Sequence, residues 1–323
     1  MRPDCWHLTE DLDDFLAHAG DLLRSRPALH TTPLTVIEKL RTHGADAYGA
    51  EATLFGRLES GGEVRALFYR PPSHRLTLTP LSPEHADHLA AHLAGLALPL
   101  SGVTADHDTA TAFAQAWQRR TGAAPAPWWR GRLHRLDTLT PPTPLPKGRG
   151  HLVDAQDHEQ LIAWCGEFTA DVGETPPIDT ASWAHSRFAD KHFTFWQTPD
   201  GTPVSMAGST SMVGGMIRVD PVYTPPHLRG RGYAGAVTVE VSRAALAAGA
   251  MEVVLFTNPA NPTSNALYQR IGYVPVADFT GYAFSYDAPE AGQGNGGRKA
   301  PLPTASSGRD DAQCPGGGLS RQG

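Results

Sequence analysis

Three cysteines in 323 residues are too few and too scattered to organise a fold. Cys5, Cys165 and Cys314 show neither the paired spacing of a structural metal site nor a disulfide framework. A reducing, cytoplasmic setting is the default expectation. Long apolar runs are missing too: none approaches the ~18 residues of a membrane-spanning helix. The opening residues, MRPDCWHLTEDLDDF, lack the charged-then-apolar layout of a secretory leader. Positive charge is in deficit, with 27 Lys and Arg against 33 Asp and Glu and a net charge of −6. This argues against a dedicated nucleic-acid binder and against a polybasic membrane anchor.

Glycine and proline are plentiful: 33 and 28, together 61 of 323 residues, against a usual ~12%. Two segments concentrate them. Residues 138–150, TLTPPTPLPKGRG, have no apolar periodicity and read as a Pro-rich linker. Residues 288–323 carry nine Gly and four Pro, no aromatic residue and only two Leu, and read as a disordered tail. The length fits about two domains, expected at residues 1–137 and 151–287.

Both halves show the same order of elements. In the first, helical spacing marks Leu12 to Arg24 and Leu34 to Thr42, followed by the strand-like runs ATLFGRL, EVRALFYR and RLTLTP. A helix from Pro83 to Leu93 has Ser82 as its cap and Pro at its first position. The strand LALPLSGV, a helix over His107 to Arg120 and a strand over Pro127 to Leu136 complete the half. In the second, helices over Ala155 to Asp171 and Thr180 to Ala189 precede HFTFWQT, PVSMAGSTSM and GGMIRVDPVYT. A helix from near Gly230 to Ala248, the strand MEVVLFTN, a helix over Pro262 to Ile271 and two closing strands follow. Each half reads helix, helix, three strands, helix, strand, helix, strand, which suggests an α/β fold duplicated within the chain.

The stretch Val222 to Ala236, VYTPPHLRGRGYAGA, carries the clearest chemistry. A strand runs through a proline turn into a glycine-rich helix start. There exposed amides and the helix dipole favour an anion, and Gly230 and Gly232 permit close backbone approach. Arg229 and Arg231 add positive charge. It is neither a P-loop nor a Rossmann fingerprint. About thirty residues on, past the strand EVVLFTN, stands Asn261-Pro-Thr-Ser264-Asn-Ala-Leu-Tyr268-Gln-Arg-Ile-Gly272-Tyr273.

These two motifs together resemble the GNAT acetyltransferase superfamily. Arg229, Gly232 and Ala234 match its Arg/Gln-x-x-Gly-x-Gly/Ala signature; Asn261, Ser264, Leu267, Tyr268, Gly272 and Tyr273 match its Asn-x-x-Ser…Leu-Tyr-x-x-x-Gly-Tyr/Phe pattern. The resemblance spans roughly Gly150 to Tyr286. It implies two GNAT-like acyl-CoA N-acyltransferase domains in tandem, each a mixed, mostly antiparallel sheet flanked by helices. The first is degenerate, since its corresponding junction, LTLTPLSPEHADHL, lacks the glycine signature.

The resemblance further implies acetyl-CoA as co-substrate, with no metal. Val222, Tyr223 and Thr224 would pair with the pantetheine arm, and Arg229, Gly230, Arg231, Gly232, Tyr233, Ala234 and Gly235 would cradle the pyrophosphate. Asn261 and Ser264 lie along the same cofactor path. Tyr268 would protonate the departing thiolate, a workable exchange for a phenol with reference pKa near ~10. The acceptor would be an amine of a small molecule, peptide or protein, and its proton needs a base. Glu174 and Glu167 are the first candidates, with Asp171, Asp220, His185 and His227 behind them.

Cys165, in LIAWCGEF, reads as core. His85, His88 and His92 share a helix face but lack any partnering Cys or HExxH pattern, and read as a solvated face. No nucleic-acid or membrane partner is expected, and the chain is expected to act as a monomer or homodimer. Two alternatives stay open: a non-catalytic acyl-CoA-binding sensor, and an acyltransferase using a different acyl-CoA.

Overall fold

The computed structural model describes residues 4–174 and 178–286; the expected tail at 288–323 lies outside the described residues. In chain order the elements are β1 (Cys5–Thr9), α1 (Leu12–Ser25), α2 (Thr31–His43), β2 (Leu54–Ser60), β3 (Glu63–Arg70), β4 (Leu76–Leu78), α3 (Pro83–Gly95), β5 (Gly102–Asp106), α4 (His107–Thr121) and β6 (Ala124–Leu136). The order then repeats with β7 (Arg149–Leu152), α5 (His158–Asp171), β8 (His192–Gln197), β9 (Pro203–Ser209), β10 (Met216–Tyr223), α6 (Tyr233–Ala247), β11 (Glu252–Thr257), α7 (Pro262–Arg270) and β12 (Tyr273–Ser285). The fold is a mixed, mostly antiparallel α/β sheet with flanking helices.

The chain forms two compact units, and they do not coincide with residues 1–137 and 151–287. The first comprises residues 4–19, 48–128 and 281–286; the second comprises 20–47 and 129–280. In the first, β1, β2, β3 and β4 pair antiparallel in that order, and β4 pairs parallel with β5. Residues 281–285 of β12 lie next to β5, where the Phe284 amide donates to the Ser101 carbonyl at 3.0 Å. The core of this unit gathers Trp6, Leu58, Phe68, Leu89, Val103, Phe113 and Trp117. Its helix α3 starts as the sequence indicates: the Ser82 hydroxyl accepts from the His85 amide at 3.2 Å, with Pro83 at the first position.

In the second unit the order is β6, β11, β10, β9, β8, β7. All pairs are antiparallel except β10 with β11. The last strand of the first half, β6, thus pairs with β11, while the end of β12 serves the first unit. Two apolar clusters cover this sheet. One includes Val219, Val237, Val241, Val253, Leu255, Tyr268 and Tyr273; the other includes Leu161, Trp164, Cys165, Phe188, Phe195, Met206 and Tyr223. Helix α2, from the first half of the sequence, belongs here. The Thr31 hydroxyl reaches the Met216 sulfur at 3.4 Å, and Asp190 pairs with Lys39 at 3.2 Å and with His43 at 3.1 Å.

Two expectations need correction. The segment Thr180 to Ala189 is not a helix beyond one 3-10 turn over Trp183–His185. Asp179 and Ser182 bond to each other's backbone amides at 2.9 and 3.0 Å, a local alternative that competes with helix. The expected linker ends in β7, which pairs with β8 from Arg149 to Leu152.

Gly272 closes α7 with φ 103°, and a Cβ there would sit 1.8 Å from the Thr138 carbonyl oxygen. Both strain and collision follow, because the obstacle is backbone. Gly272→Ala is expected to cost about 2–3 kcal/mol, measured by urea unfolding. A loss below about 0.5 kcal/mol would show that this turn relaxes freely.

Candidate active site

The site is built where β10 and β11 part. Their parallel pairing covers Met216–Arg218 against Glu252–Val254 and then stops. Across the other edge, the register with β9 shifts between Val219 and Val222. The bulge falls at Asp220 and Pro221, and it turns the strand locally. From Val219 to Tyr223 the β10 backbone therefore has no strand partner on the β11 side among the described residues. An extended ligand can add there as a strand does. The end of β10 is fixed in place: the Ser205 hydroxyl donates to the Tyr223 carbonyl at 2.9 Å and lies 2.8 Å from the Thr224 hydroxyl.

Beyond Tyr223 the chain turns through Pro226–Leu228 and reaches two glycines with positive φ, Gly230 at 77° and Gly232 at 83°. Gly232 is the N-cap of α6 and offers no side chain to its amides. The first helical bond runs from the Ala236 amide to the Gly232 carbonyl at 3.0 Å. The amides of Tyr233, Ala234 and Gly235 precede it, as at any helix start. A Cβ at Gly230 would meet open space, and one at Gly235 would lie 3.1 Å from Leu267 Cδ1, so a small residue lets α6 approach α7. Bare amides, a dipole and glycine clearance make a cradle that fits a pyrophosphate.

The two arginines of the motif already have protein partners. Arg229 Nε donates to the Thr224 carbonyl at 2.9 Å, and its guanidinium pairs with Asp171. Arg231 donates to the His227 carbonyl at 3.3 Å. Asn261 is occupied as well: its side-chain oxygen caps α7 by accepting from the Ser264 amide at 3.1 Å. The adjacent Asn265 is buried and bonds the Thr257 hydroxyl at 2.7 Å and the Asn261 carbonyl at 2.7 Å. These contacts hold the turn between β11 and α7.

Helix α7 carries Tyr268, which is 8% exposed. Its ring meets Tyr273 edge-on at 6.1 Å, and its hydroxyl has no hydrogen-bond partner among the described residues. Burial pushes its pKa up, assisted by Tyr273 and by the charge of Asp220.

The acidic candidates are all engaged. Glu167, on α5, accepts from the Tyr223 hydroxyl at 2.6 Å. Glu174 receives Arg187 through both oxygens, at 3.0 and 3.1 Å. Asp220 receives the same Arg187 at 2.7 Å and also binds Lys191. Despite burial, Lys191, Arg187 and Arg218 hold the Asp220 carboxyl far below the usual carboxylate range. Arg187 lies over the Phe188 ring at 4.4 Å. Arg187 and Lys191 escaped the sequence reading, being two cations four residues apart in an irregular segment. Only the pairing of β8, β9 and β10 brings them to the bulge. A cavity of ≈ 380 Å³ opens beside Glu167, lined also by Gln160, Trp164, Val204, Pro225 and His227.

Burial pushes the Cys165 thiol up to about 12, which keeps it protonated and unreactive. Of the three helix histidines, His85 bonds Asp4 at 2.8 Å. His151, Asp154 and Asp157 bring one possible ligand atom each within 4.8 Å of one another. Asp157 is meanwhile bonded to His151 at 2.7 Å and to the Asp154 amide at 3.1 Å. Among the described residues no helix is long and apolar enough to cross a membrane.

The parallel pairing of β10 and β11 thus ends before an uncapped, glycine-rich helix start. Residues 208–279, which hold that whole construction, match the family model described as FR47-like protein. No curated protein matches the chain. A GCN5-related N-acetyltransferase from Sphaerobacter thermophilus is similar at 17% identity, covering 87% of this chain and 96% of that one, with a TM-score of 0.53. An acetyltransferase of the GNAT family from Colwellia psychrerythraea shows 11% identity over 87% of this chain and 100% of that one, with a TM-score of 0.54. A tandem GNAT protein from the clavulanic acid biosynthesis pathway, solved without acetyl-CoA, shows 12% identity over 89% and 100%, with a TM-score of 0.53. At these identities the likeness is one of fold. The matched family segment covers residues 208–279 of the second unit.

Proposed function

We propose that the second unit transfers the acetyl group of acetyl-CoA to an amine, with Tyr268 as the acid for the departing thiolate. One observation carries the reading: the partnerless edge of β10 from Val219 to Tyr223 runs directly into the uncapped start of α6. That continuity suits a molecule with an extended amide-bearing arm and a pyrophosphate. Val222, Tyr223 and Thr224 pair with the arm, and the amides from Gly230 to Gly235 hold the phosphates. A backbone amide near Val222 stabilises the oxyanion that develops when the amine attacks the thioester carbonyl.

At the start of α3 in the first unit the Ser82 hydroxyl already accepts from the His85 amide. We assign this unit a structural part. The acceptor is an amine of a small molecule, peptide or protein. The net charge of −6 argues against nucleic-acid and polybasic membrane partners.

A second reading, an acyl-CoA-binding sensor without turnover, gains support from the engagement of Glu167, Glu174 and Asp220 in bonds of their own. One experiment separates the two: free-thiol release from acetyl-CoA over a panel of amines, alongside thermal unfolding. Acetyl-CoA at a hundred times its Kd should stabilise the protein by about 2.7 kcal/mol, a rise of roughly 5–10 °C. Thiol release with at least one amine is expected. Stabilisation without release favours the sensor, and no stabilisation at millimolar acetyl-CoA removes both readings.

A further inference from the structure

We infer that the cavity beside Glu167 is the acceptor site, and that it takes a small primary amine with an apolar body and no anionic group, its ammonium held by the Glu167 carboxylate. The inference rests on the acetyl-transfer reading and names its acceptor class.

Position is the first ground. The cavity, ≈ 380 Å³, lies between α5, the start of β9 and the segment Pro225–Leu228. That segment joins the end of β10 to the glycine start of α6. The cavity therefore borders the stretch of chain assigned to the arm and the phosphates. Glu167 also touches the cofactor edge directly. Its Oε2 accepts from the hydroxyl of Tyr223, the last residue of β10, at 2.6 Å. The next residue back is Val222, whose neighbourhood is assigned the oxyanion.

Charge is the second ground. Four carboxylates gather at this end of the unit, and three have cations. Asp171 pairs with Arg229, Glu174 with Arg187, and Asp220 with Arg187 and Lys191. Glu167 has no cationic partner among the described residues; its bond is to a neutral phenol. No lysine or arginine lines the cavity. Its wall thus presents one fixed negative charge, which a primary ammonium neutralises through a charge-assisted hydrogen bond. A carboxylate or phosphate on the same ligand meets Glu167 and finds no cation to receive it.

The lining fixes the rest of the ligand. Trp164, Val204 and Pro225 are buried apolar walls, while Thr202 is exposed on the turn before β9. The volume stands near the small end of the usual ligand range of ~300–1,000 Å³. An apolar body of modest size fills it.

The test is thiol release from acetyl-CoA by the full chain with three acceptors. They are phenethylamine, phenylalanine, which adds a carboxylate to the same body, and a lysine peptide blocked at its amino terminus. Wild type is expected to use phenethylamine with a kcat/KM about tenfold or more above the other two. Glu167→Gln keeps an oxygen for the Tyr223 hydroxyl and removes the charge. It should raise the KM for phenethylamine about 10- to 100-fold, the span of one lost bond to a charged group, while the acetyl-CoA thermal shift persists. Thr202→Trp should obstruct phenethylamine and spare methylamine. The assignment falls, and acetyl transfer stands, on any of three results. Phenylalanine or the peptide matches phenethylamine in wild type; Glu167→Gln leaves the KM within about threefold; or Thr202→Trp affects both amines alike. Absence of thiol release with every acceptor overturns acetyl transfer itself, and this assignment with it.

Discussion

Replacing Tyr268 by Phe should lower kcat by about 10²–10³, the usual span for losing a positioned acid, while leaving acetyl-CoA binding nearly untouched. The substitution removes a single oxygen. That oxygen has no hydrogen-bond partner among the described residues, so no buried group is stranded when it goes. The ring keeps its edge-on contact with Tyr273 and its place in the apolar cluster of α6 and α7. Stability should therefore change by less than about 1 kcal/mol. The direction of the pKa shift adds a second expectation. Burial raises the phenol above its ordinary value near ~10, so Tyr268 keeps its proton throughout the assay range. Its loss should then lower the whole pH profile evenly instead of removing one limb. Steady-state kinetics with paired thermal shifts checks this. A drop in kcat below about threefold, with binding intact, would take the acid role from Tyr268.

The residues that made the site legible are those whose chemistry is local. A glycine pair ahead of an apolar helix, and an Asn three residues before a Ser at a helix start, act through their own backbone, so the sequence displays them directly. Gly232 with φ 83° and Asn261 accepting from Ser264 both follow from neighbours in the chain. The same holds for Ser82 and for the extents of α1, α3, α6 and α7 within a few residues. Long-range choices are different. Nothing in the periodicity of β6 or β12 tells which strand each will join, and each serves both compact units. Nothing in α2 marks it for the second unit, since Lys39 and His43 meet Asp190 only after the chain has folded. The roles expected of Arg229 and Arg231 looked local, yet Asp171, the Thr224 carbonyl and the His227 carbonyl claim both guanidinium groups. Lys191 was hidden for the same reason: its meaning lies in Asp220, 29 residues away across three paired strands.

Asp220 is the residue whose loss should cost the second unit most. In Asp220→Asn the carboxamide keeps the shape and removes the charge. Lys191, 6% exposed, then faces Arg187 and Arg218 without its counter-ion. Breaking one side of a buried pair typically costs 3–5 kcal/mol. Lys191 limits that penalty, because it can give up its proton at neutral pH. Deprotonating an ordinary lysine at pH 7 costs roughly 4–5 kcal/mol, which is the ceiling on the loss. A decrease of about 3–4 kcal/mol in urea unfolding is expected at pH 7. The pH dependence follows from the sign of the shift. The folded carboxyl is held far below its unfolded value near ~4. The unfolded chain therefore binds a proton first as pH falls, and folded stability declines. The contribution of Asp220 is fully present above about pH 5. It is lost progressively as the pH drops through 4 and below. Asp220→Asn, with no carboxyl at this position, lacks that acid-labile contribution. At the alkaline end the lowered Lys191 acts in the same direction. Between about 8 and its unfolded value near ~10.4 the unfolded chain holds a proton that the native state has released, so this one group makes stability rise with pH. Lys191→Met should erase that rise. A difference for Asp220→Asn below about 1 kcal/mol at pH 7 would mean that the carboxylate is not the counter-ion on which the cluster depends.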